Sequence, residues 1–340
     1  MKIILTSIIA ILFTANVFSQ VFQENSKRGT TAAPFLSIGQ GARAIGMGSA
    51  FVAITDDPSA LYWNPAGITK VHGFGFVVDH TTWIADINYN YMALTYNLGD
   101  FGTIGASFTI SDIDEMKVTT VEKPDGTGEV FGVTDAAFSL AWAINLTDNF
   151  SIGFNPKFIY QSIWRMSAST LALDIGVQYR TPFDGAILAM SISNFGPKMQ
   201  LLGSSTQVLY DPDINSSGNN SSIPANIQTD TWDLPLTFRV GIGYQPLNME
   251  DNKVTVSLDA LHLSDNYESV NVGAEYSYAD FVAIRAGYKS LFLPDSEESF
   301  SLGFGLKQFL IGNIAFKVDY AYQDFGRLNS IQKFTFGVSF

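Results

Sequence analysis

The chain is 340 residues long, 46% hydrophobic and 14% aromatic, yet only 15% of its residues are charged and none is cysteine. Charge so far below the roughly 25% of soluble proteins leaves much of the surface facing something other than water, and the missing cysteines exclude disulfide scaffolds, thiolate metal sites and cysteine nucleophiles. The formal net charge of −13, or −14 with Lys2 set aside (18 basic against 32 acidic residues), excludes a nucleic-acid partner, because phosphate backbones select for Lys and Arg.

Residues 1–20 have the pattern of a secretory signal peptide. Lys2 precedes an apolar run from Ile3 to Phe13, and small and polar residues follow as far as Ser19 and Gln20, near which cleavage is expected. Eleven apolar residues are too few to span a bilayer as a helix, which takes about 20. Residues 21–70 form a second segment, and from Gly29 onward it is dense in small residues that let backbones approach closely. Within it, Asp57-Pro58 has the form of an N-cap and first-turn pair, predicting a short helix over 58–62 that Pro65 ends.

Residues 71–340 alternate with period 2. Val254, Val256, Leu258 and Ala260 stand against Thr255, Ser257 and Asp259, and later segments repeat the pattern through Phe334, Phe336, Val338 and Phe340. Fourteen such segments are expected, near 71–79, 88–98, 101–111, 135–146, 150–163, 169–181, 186–194, 234–245, 253–264, 268–278, 281–290, 298–309, 313–323 and 330–340. Most have the length a tilted strand needs to cross a hydrocarbon core. The non-apolar phase is rich in Gly and carries opposite charges on successive strands: Arg239, Asp259, Glu275, Arg285, Lys317 and Asp319. Such a face suits a crowded lumen with paired charges.

Connections alternate as well. Tight turns at Gly99-Asp100, Thr147-Asp148-Asn149, Pro182-Phe183-Asp184-Gly185, Tyr278-Ala279-Asp280 and Leu310-Ile311-Gly312 oppose longer loops at 111–134, 195–233 and 291–297. Outer-membrane barrels show this asymmetry, with short periplasmic turns and long external loops, and a closed barrel is the sheet that satisfies its backbone in lipid. The fold class is therefore all-β: a transmembrane up-and-down antiparallel barrel of about fourteen strands. A soluble periplasmic sandwich or propeller would need more surface charge. A ring of this size lies between self-filled eight-stranded barrels and open porins, so its lumen needs filling. Residues 21–70 are expected to supply an N-terminal luminal plug, with Arg43 as its main cation meeting Asp259 or Glu275.

The segment Gly41-Ala42-Arg43-Ala44-Ile45-Gly46-Met47-Gly48, with Asp56-Asp57-Pro58-Ser59-Ala60-Leu61-Tyr62-Trp63-Asn64-Pro65-Ala66-Gly67-Ile68, resembles the N-terminal signature of the PorV/PorQ family, Bacteroidota outer-membrane proteins related to the FadL/TodX long-chain fatty-acid transporters. The resemblance covers about 30 residues, marks the fold more firmly than the task, and implies a fourteen-stranded barrel with a luminal N-terminal segment in the outer membrane of a Gram-negative cell. It also implies a non-enzymatic role with two alternatives. PorV-type members serve type IX secretion, receiving cargo at the translocon and handing it to the surface-attachment machinery, so the partners would be secretion components and cargo sorting domains. FadL-type members admit hydrophobic small molecules, and the shared Asn64-Pro65-Ala66-Gly67 keeps that alternative open. The ending Phe334, Phe336 and Phe340 resembles the signal by which the barrel-assembly machinery recognises such chains for insertion into outer-membrane lipid.

Catalysis and cofactor binding find little support. His72, His80 and His262 fall on separate segments without metal-ligand spacing, and Gly46-x-Gly48 lacks the third glycine of a dinucleotide fingerprint. Asp211-Pro-Asp213-Ile-Asn215 alternates oxygen ligands, but Ser216 stands where a calcium loop needs Gly. The loop around it is flexible by composition, with Phe195, Met199, Leu201, Leu202, Val208 and Leu209 as apolar anchors for a partner or a hydrophobic solute. Trp63, Trp83, Trp142, Trp164 and Trp232 are expected at the membrane interfaces or in packing.

Overall fold

The computed structural model describes residues 27–183, 185–213, 215, 220, 222–309 and 314–340. The expected signal peptide and the tip of the turn at 310–312 lie outside them. Fourteen strands form one closed antiparallel ring: β1 (Phe74–Thr82), β2 (Asn88–Asn97), β3 (Thr103–Asp112), β4 (Val133–Thr147), β5 (Phe150–Ile163), β6 (Met166–Arg180), β7 (Ile187–Phe195), β8 (Thr237–Asn248), β9 (Asn252–Leu263), β10 (Ser269–Tyr278), β11 (Val282–Leu291), β12 (Phe300–Phe309), β13 (Ala315–Asp324) and β14 (Ser330–Ser339). Each strand pairs with its sequence neighbour, and β14 pairs with β1 from Gly75↔Ser339 to Thr82↔Gln332, which leaves no edge.

Alternation sorts the side chains as the period demands. Along β9, Thr255, Ser257 and Asp259 are buried while Val256 and Leu258 are exposed on the outer wall. Phe334, Phe336 and Phe340 likewise face outward at the closing strand. β5 has the expected bounds, whereas β4 and β6 run to 15 residues each, longer than the expected segments, because their loop-end halves continue toward the external loops.

The N-terminal segment fills the ring. It starts at the long-loop end, where Arg28 Nε donates to Asn266 Oδ1 and the Ala32 amide to the Asp233 carbonyl. It descends through helix α1 (Ala42–Gly46) and helix α2 (Ala60–Trp63) to a 3-10 turn, Pro65–Lys70, at the short-turn end. The helix expected over 58–62 is displaced to 60–63. Residues 57–59 form instead a tight turn, in which Asp57 Oδ1 accepts from the Ser59 amide (2.9 Å) and hydroxyl (2.5 Å). After Trp63 the chain turns extended at Asn64, whose side chain caps the 3-10 turn by accepting from the Ala66 amide.

The plug is held close enough that backbone meets backbone. A Cβ on Gly46 would stand 2.9 Å from Gly303 Cα, and one on Gly48, whose φ is +63°, would stand 2.5 Å from the Val272 carbonyl oxygen. Gly48→Ala therefore adds both left-handed strain and an overlap with wall backbone, a combined cost of about 2–4 kcal/mol. Gly132→Ala, in open space with ordinary φ, is the neutral control. Urea unfolding in detergent, followed by tryptophan fluorescence, should show a lower midpoint for Gly48→Ala alone; equal midpoints would mean the plug is not packed against the wall.

Candidate functional site

The lumen is crossed by one chain of ionic contacts joining plug to wall. Arg43, on α1, donates through Nε and Nη2 to the two oxygens of Glu275 on β10, both at 2.9 Å, and also pairs with Asp56. Glu275 accepts a second guanidinium, Arg285 Nε of β11, at 2.5 Å, and Arg285 Nη1 reaches Asp319 Oδ1 of β13 at 2.6 Å. Lys317 closes the series, 3.3 Å from Asp319 Oδ2 and 3.1 Å from Asp57 Oδ2. The guanidinium of Arg43 also lies 5.4 Å from the Phe51 ring centroid. Three cations thus serve four carboxylates, and the two plug acids, Asp56 and Asp57, lie at either end. Burial alone would raise the pKa of Asp57, but Lys317 and Arg43 outweigh it and hold the carboxyl at about 2. Burial works against the charge of Arg43 as well, yet Asp56 and Glu275 push its pKa above the ordinary value.

The remaining lumen carboxylates bind plug backbone. Asp259 does not meet Arg43; its Oδ2 accepts the amides of Phe51 (2.7 Å) and Val52 (2.9 Å), while its Oδ1 has no hydrogen-bond partner. Arg239 makes no carboxylate pair within 4 Å among the described residues. Its guanidinium lies 5.8 and 5.5 Å from the ring centroids of Tyr62 and Trp63 and donates to Ser193 Oγ. Asn64 donates to the carbonyls of Val52 and Val177, Pro65 and Ala66 abut Gly153, and Gly67 packs on Thr55. Gly41 and Pro58 lie at turns of the plug, where the Gly41 amide donates to Asp79 Oδ2.

Two luminal clusters escaped the sequence reading. Asp79 on β1 accepts from Lys333 Nζ (2.9 Å), the Thr335 hydroxyl and the Gly41 amide, and Lys333 also donates to the Gly39 carbonyl. Asp174 on β6 accepts from Lys157 Nζ, Asn155 and the amide of Asn194, at a bulge where Asn194 has φ 66°. The signal was available: each of these residues falls in the polar phase of its strand, opposite Phe334 and Phe336 in the case of Lys333.

The external end is closed by apolar packing. Phe35, Leu36 and Ile38 of the plug join Met199 and Leu234 of the longest loop, Ile159 of the wall and small alanines in one buried cluster. On either side of residues 214–221, most of which lie outside the described residues, that loop is paired. Met199–Gln200 pairs with Thr231–Trp232, Leu202–Gly203 pairs with β6, and Gln207–Tyr210 pairs with Ile223–Asn226. Backbone pairing holds a stack of short ladders above the membrane, on which Leu202, Leu209, Tyr210, Ile227 and Trp232 are exposed to solvent, Leu209 by 72%. The neighbouring loop folds likewise, Met116–Lys117 on Val130–Phe131, and fully exposes Val121.

Space left inside is polar or small. Beneath the cap, between Leu36, Tyr62, Tyr91 and Asp174, a cavity of about 30 Å³ remains, roughly one water in size. A larger recess of about 260 Å³ opens toward the short-turn end along the ionic chain itself. Trp63 is buried, Trp83 stacks edge-on against Phe325, and Trp142 lies on the outer wall with its indole donating to the Phe101 carbonyl. His262 sits 3.0 Å from Glu268 on the exposed rim, and His80 bonds Asn90. Among the described residues no group of three or more His, Asp or Glu is placed to hold a metal, and no helix is long and apolar enough to cross a membrane.

A family model described as "Type IX secretion system protein PorV" matches residues 21–267. No curated protein matches the chain. Among solved structures, the Pseudomonas aeruginosa FadL homologue is similar at a TM-score of 0.55 and 12% identity, over 89% of this chain and 98% of the other. The Pseudomonas putida toluene transporter TodX matches at 0.55 and 14%, and the Ralstonia pickettii toluene transporter TbuX at 0.54 and 13%, each over 88% of this chain and 97% of the other. At such identities these likenesses carry the fold: a closed barrel with an N-terminal segment in its lumen.

The ionic chain makes plug anchoring sensitive to acid, with a definite sign. The folded-state pKa of Asp57 is depressed from 3.8 to about 2, so its contribution is complete above pH 4 and lost as pH falls toward 2. The shift corresponds to about 2 kcal/mol. Asp57→Asn should therefore be less stable than the parent at pH 7, with the two unfolding midpoints converging near pH 2. A constant difference across that range would show that Lys317 and Arg43 do not hold the carboxylate.

Proposed function

The chain belongs to the PorV family of type IX secretion system proteins, and on that premise we propose that it is a non-catalytic outer-membrane component that binds secreted cargo and hands it on at the cell surface. The observation that carries this reading is the contrast between lumen and loops. A conduit needs a continuous path, whereas here the plug is tied to the wall by charges and amides, the outer mouth is capped by Phe35, Leu36, Met199 and Leu234, and the cavity beneath the cap has room for about one water. Exposed apolar side chains gather instead on the ordered external ladders, where Leu202, Leu209, Tyr210, Ile227 and Trp232 present the aromatic and aliphatic anchors typical of protein-binding surfaces. Secretion components and cargo sorting domains are the partners this reading names. Phe334, Phe336 and Phe340 would serve earlier, as the insertion signal read by the barrel-assembly machinery.

The second reading is a channel for hydrophobic compounds, favoured by the fold shared with the toluene transporters. It asks for an opening in the wall beside an apolar pocket. All neighbouring strands are paired around the ring, and the bulge between β6 and β7 is lined by Asp174, Lys157 and Asn194. Such a lining does not suit a hydrocarbon path.

Deletion of the gene with surface-proteome analysis decides between the readings: cargo bearing type IX sorting domains should be lost from the surface, and unchanged cargo would end the secretion reading. Leu209→Asp combined with Trp232→Ser should weaken binding of the cargo or translocon partner by about 30-fold, the effect of losing about 2 kcal/mol at an interface anchor, while leaving detergent stability unchanged.

A further inference from the structure

The short-turn end of the barrel holds a second recess, separate from the ionic chain and of opposite character. The last turn of the plug brings Lys70 and His72 beside the ends of β5 and β6, where Arg180, Ser151 and Asn149 complete a cavity of about 320 Å³. Among the described residues neither Lys70 nor Arg180 has a carboxylate within 4 Å, although Asp148 also lines the cavity. The acid nearest in effect to Lys70 is Asp56, which is committed to Arg43. Two like charges held together by rigid backbone, one of them largely buried, are each destabilised by the other. Burial, helped by the repulsion of Arg180 and Arg43, lowers the Lys70 pKa to about 8 against the attraction of Asp56. In a chain with 32 acidic and 19 basic residues, two cations lining one recess with no ion pair among the described residues mark a place where further counter-charge can come from outside.

We propose that this recess binds a phosphate group at the periplasmic rim of the barrel. A guanidinium fork beside an ammonium point charge is the pairing that suits a tetrahedral oxyanion, and Asn149 and Ser151 add neutral hydrogen-bonding groups. The cavity is on the order of ten waters in size (~30 Å³ each), which leaves room for a substituent on the phosphate. Arg180 and Asn145 of its lining directly adjoin Tyr179 and Leu146, exposed apolar residues of the wall near this end, where headgroups of the periplasmic leaflet meet water. The source of the phosphate is thus either a phospholipid headgroup or free phosphate.

The test uses the full chain purified in detergent, with Lys70→Gln/Arg180→Gln as the variant and Lys117→Gln/Lys123→Gln, in an exposed external loop, as the charge-matched control. Native mass spectrometry after exposure to mixed phosphatidylglycerol and phosphatidylcholine micelles should show phosphatidylglycerol retained by the parent and the control, and at least about tenfold less by the double variant, the weight of one charge-assisted contact. Titration with inorganic phosphate reports the other source: calorimetric binding by the parent without lipid preference assigns the site to free phosphate. Heat-modifiable gel mobility verifies that each variant is folded, and Lys70→Arg should retain binding. Equal lipid retention and equal phosphate titration by parent and folded double variant would overturn the proposal.

Discussion

Glu275 is held between two guanidinium groups, one carried by the plug and one by the wall, and the arrangement of the lumen follows from that shared carboxylate. Withdrawing any one of the three charges strips a buried neighbour of one of its ionic partners, a loss that is costly in a buried setting. Arg43 therefore fixes α1 against β10 and β11, and Arg285 passes the constraint to Asp319 on β13. Lys317 returns it to the plug at Asp57. The chain is a loop in space: it leaves the plug at Arg43 and re-enters it at Asp57, 14 positions later in sequence. The turn between those residues, including the amides of Phe51 and Val52 on Asp259, is thereby pinned at both ends.

Close packing and charge pairing are two halves of one solution to the size of the ring. Fourteen strands enclose more volume than their own inward side chains can fill, so a second element must enter, and an irregular backbone entering a dry lumen brings amides that need partners. Inward Gly303, Gly287, Gly176 and Gly153 let the plug lie against wall backbone. The same approach puts Asp79, Asp259 and Asn155 within hydrogen-bond distance of plug amides and carbonyls. Side chains that hold an insert by its backbone do not easily let solute past it. That is why surface activity at the external loops fits this interior better than conduction through it.

Strand number, the plug and its chief cation were legible because each follows from a strong rule. Period 2 over segments of one length gives the barrel, the ring size gives the need for filling, and one arginine in a small-residue segment needs an acid. What escaped was geometry in the third dimension. Asp259 and Glu275 stand in the same phase on adjacent strands, and sequence cannot say which one a guanidinium reaches; α1 settles it by presenting Arg43 to β10 while the following turn presents bare amides to Asp259. Arg239 reads as half of a charge alternation, yet two rings of the plug take the place of its acid. The longest loop reads as irregular from its Ser, Asn and Gly content, but its flanking residues pair as short ladders, whose registry depends on partners 13 to 37 positions apart.

The acidic balance of the chain acquires a location from these contacts. Arg43, Lys157, Arg239, Arg285, Lys317 and Lys333 all point into the lumen, a third of the basic residues that remain once Lys2 is excluded. These cations are met inside by at least as many acids, among them Asp57, Asp79, Asp174, Asp259, Glu275 and Asp319, so the acidic excess of the chain lies on the surface that meets other molecules. On the external loops that field surrounds the apolar anchors of the longest loop. On the proposed cargo-binding reading it would favour partners with a basic rim around an apolar centre and turn away acidic ones, with specificity from charge and affinity from Leu209 and Trp232. At the opposite rim Lys70 and Arg180 stand out against the same background, because the field that repels anions elsewhere makes one local reversal the more selective.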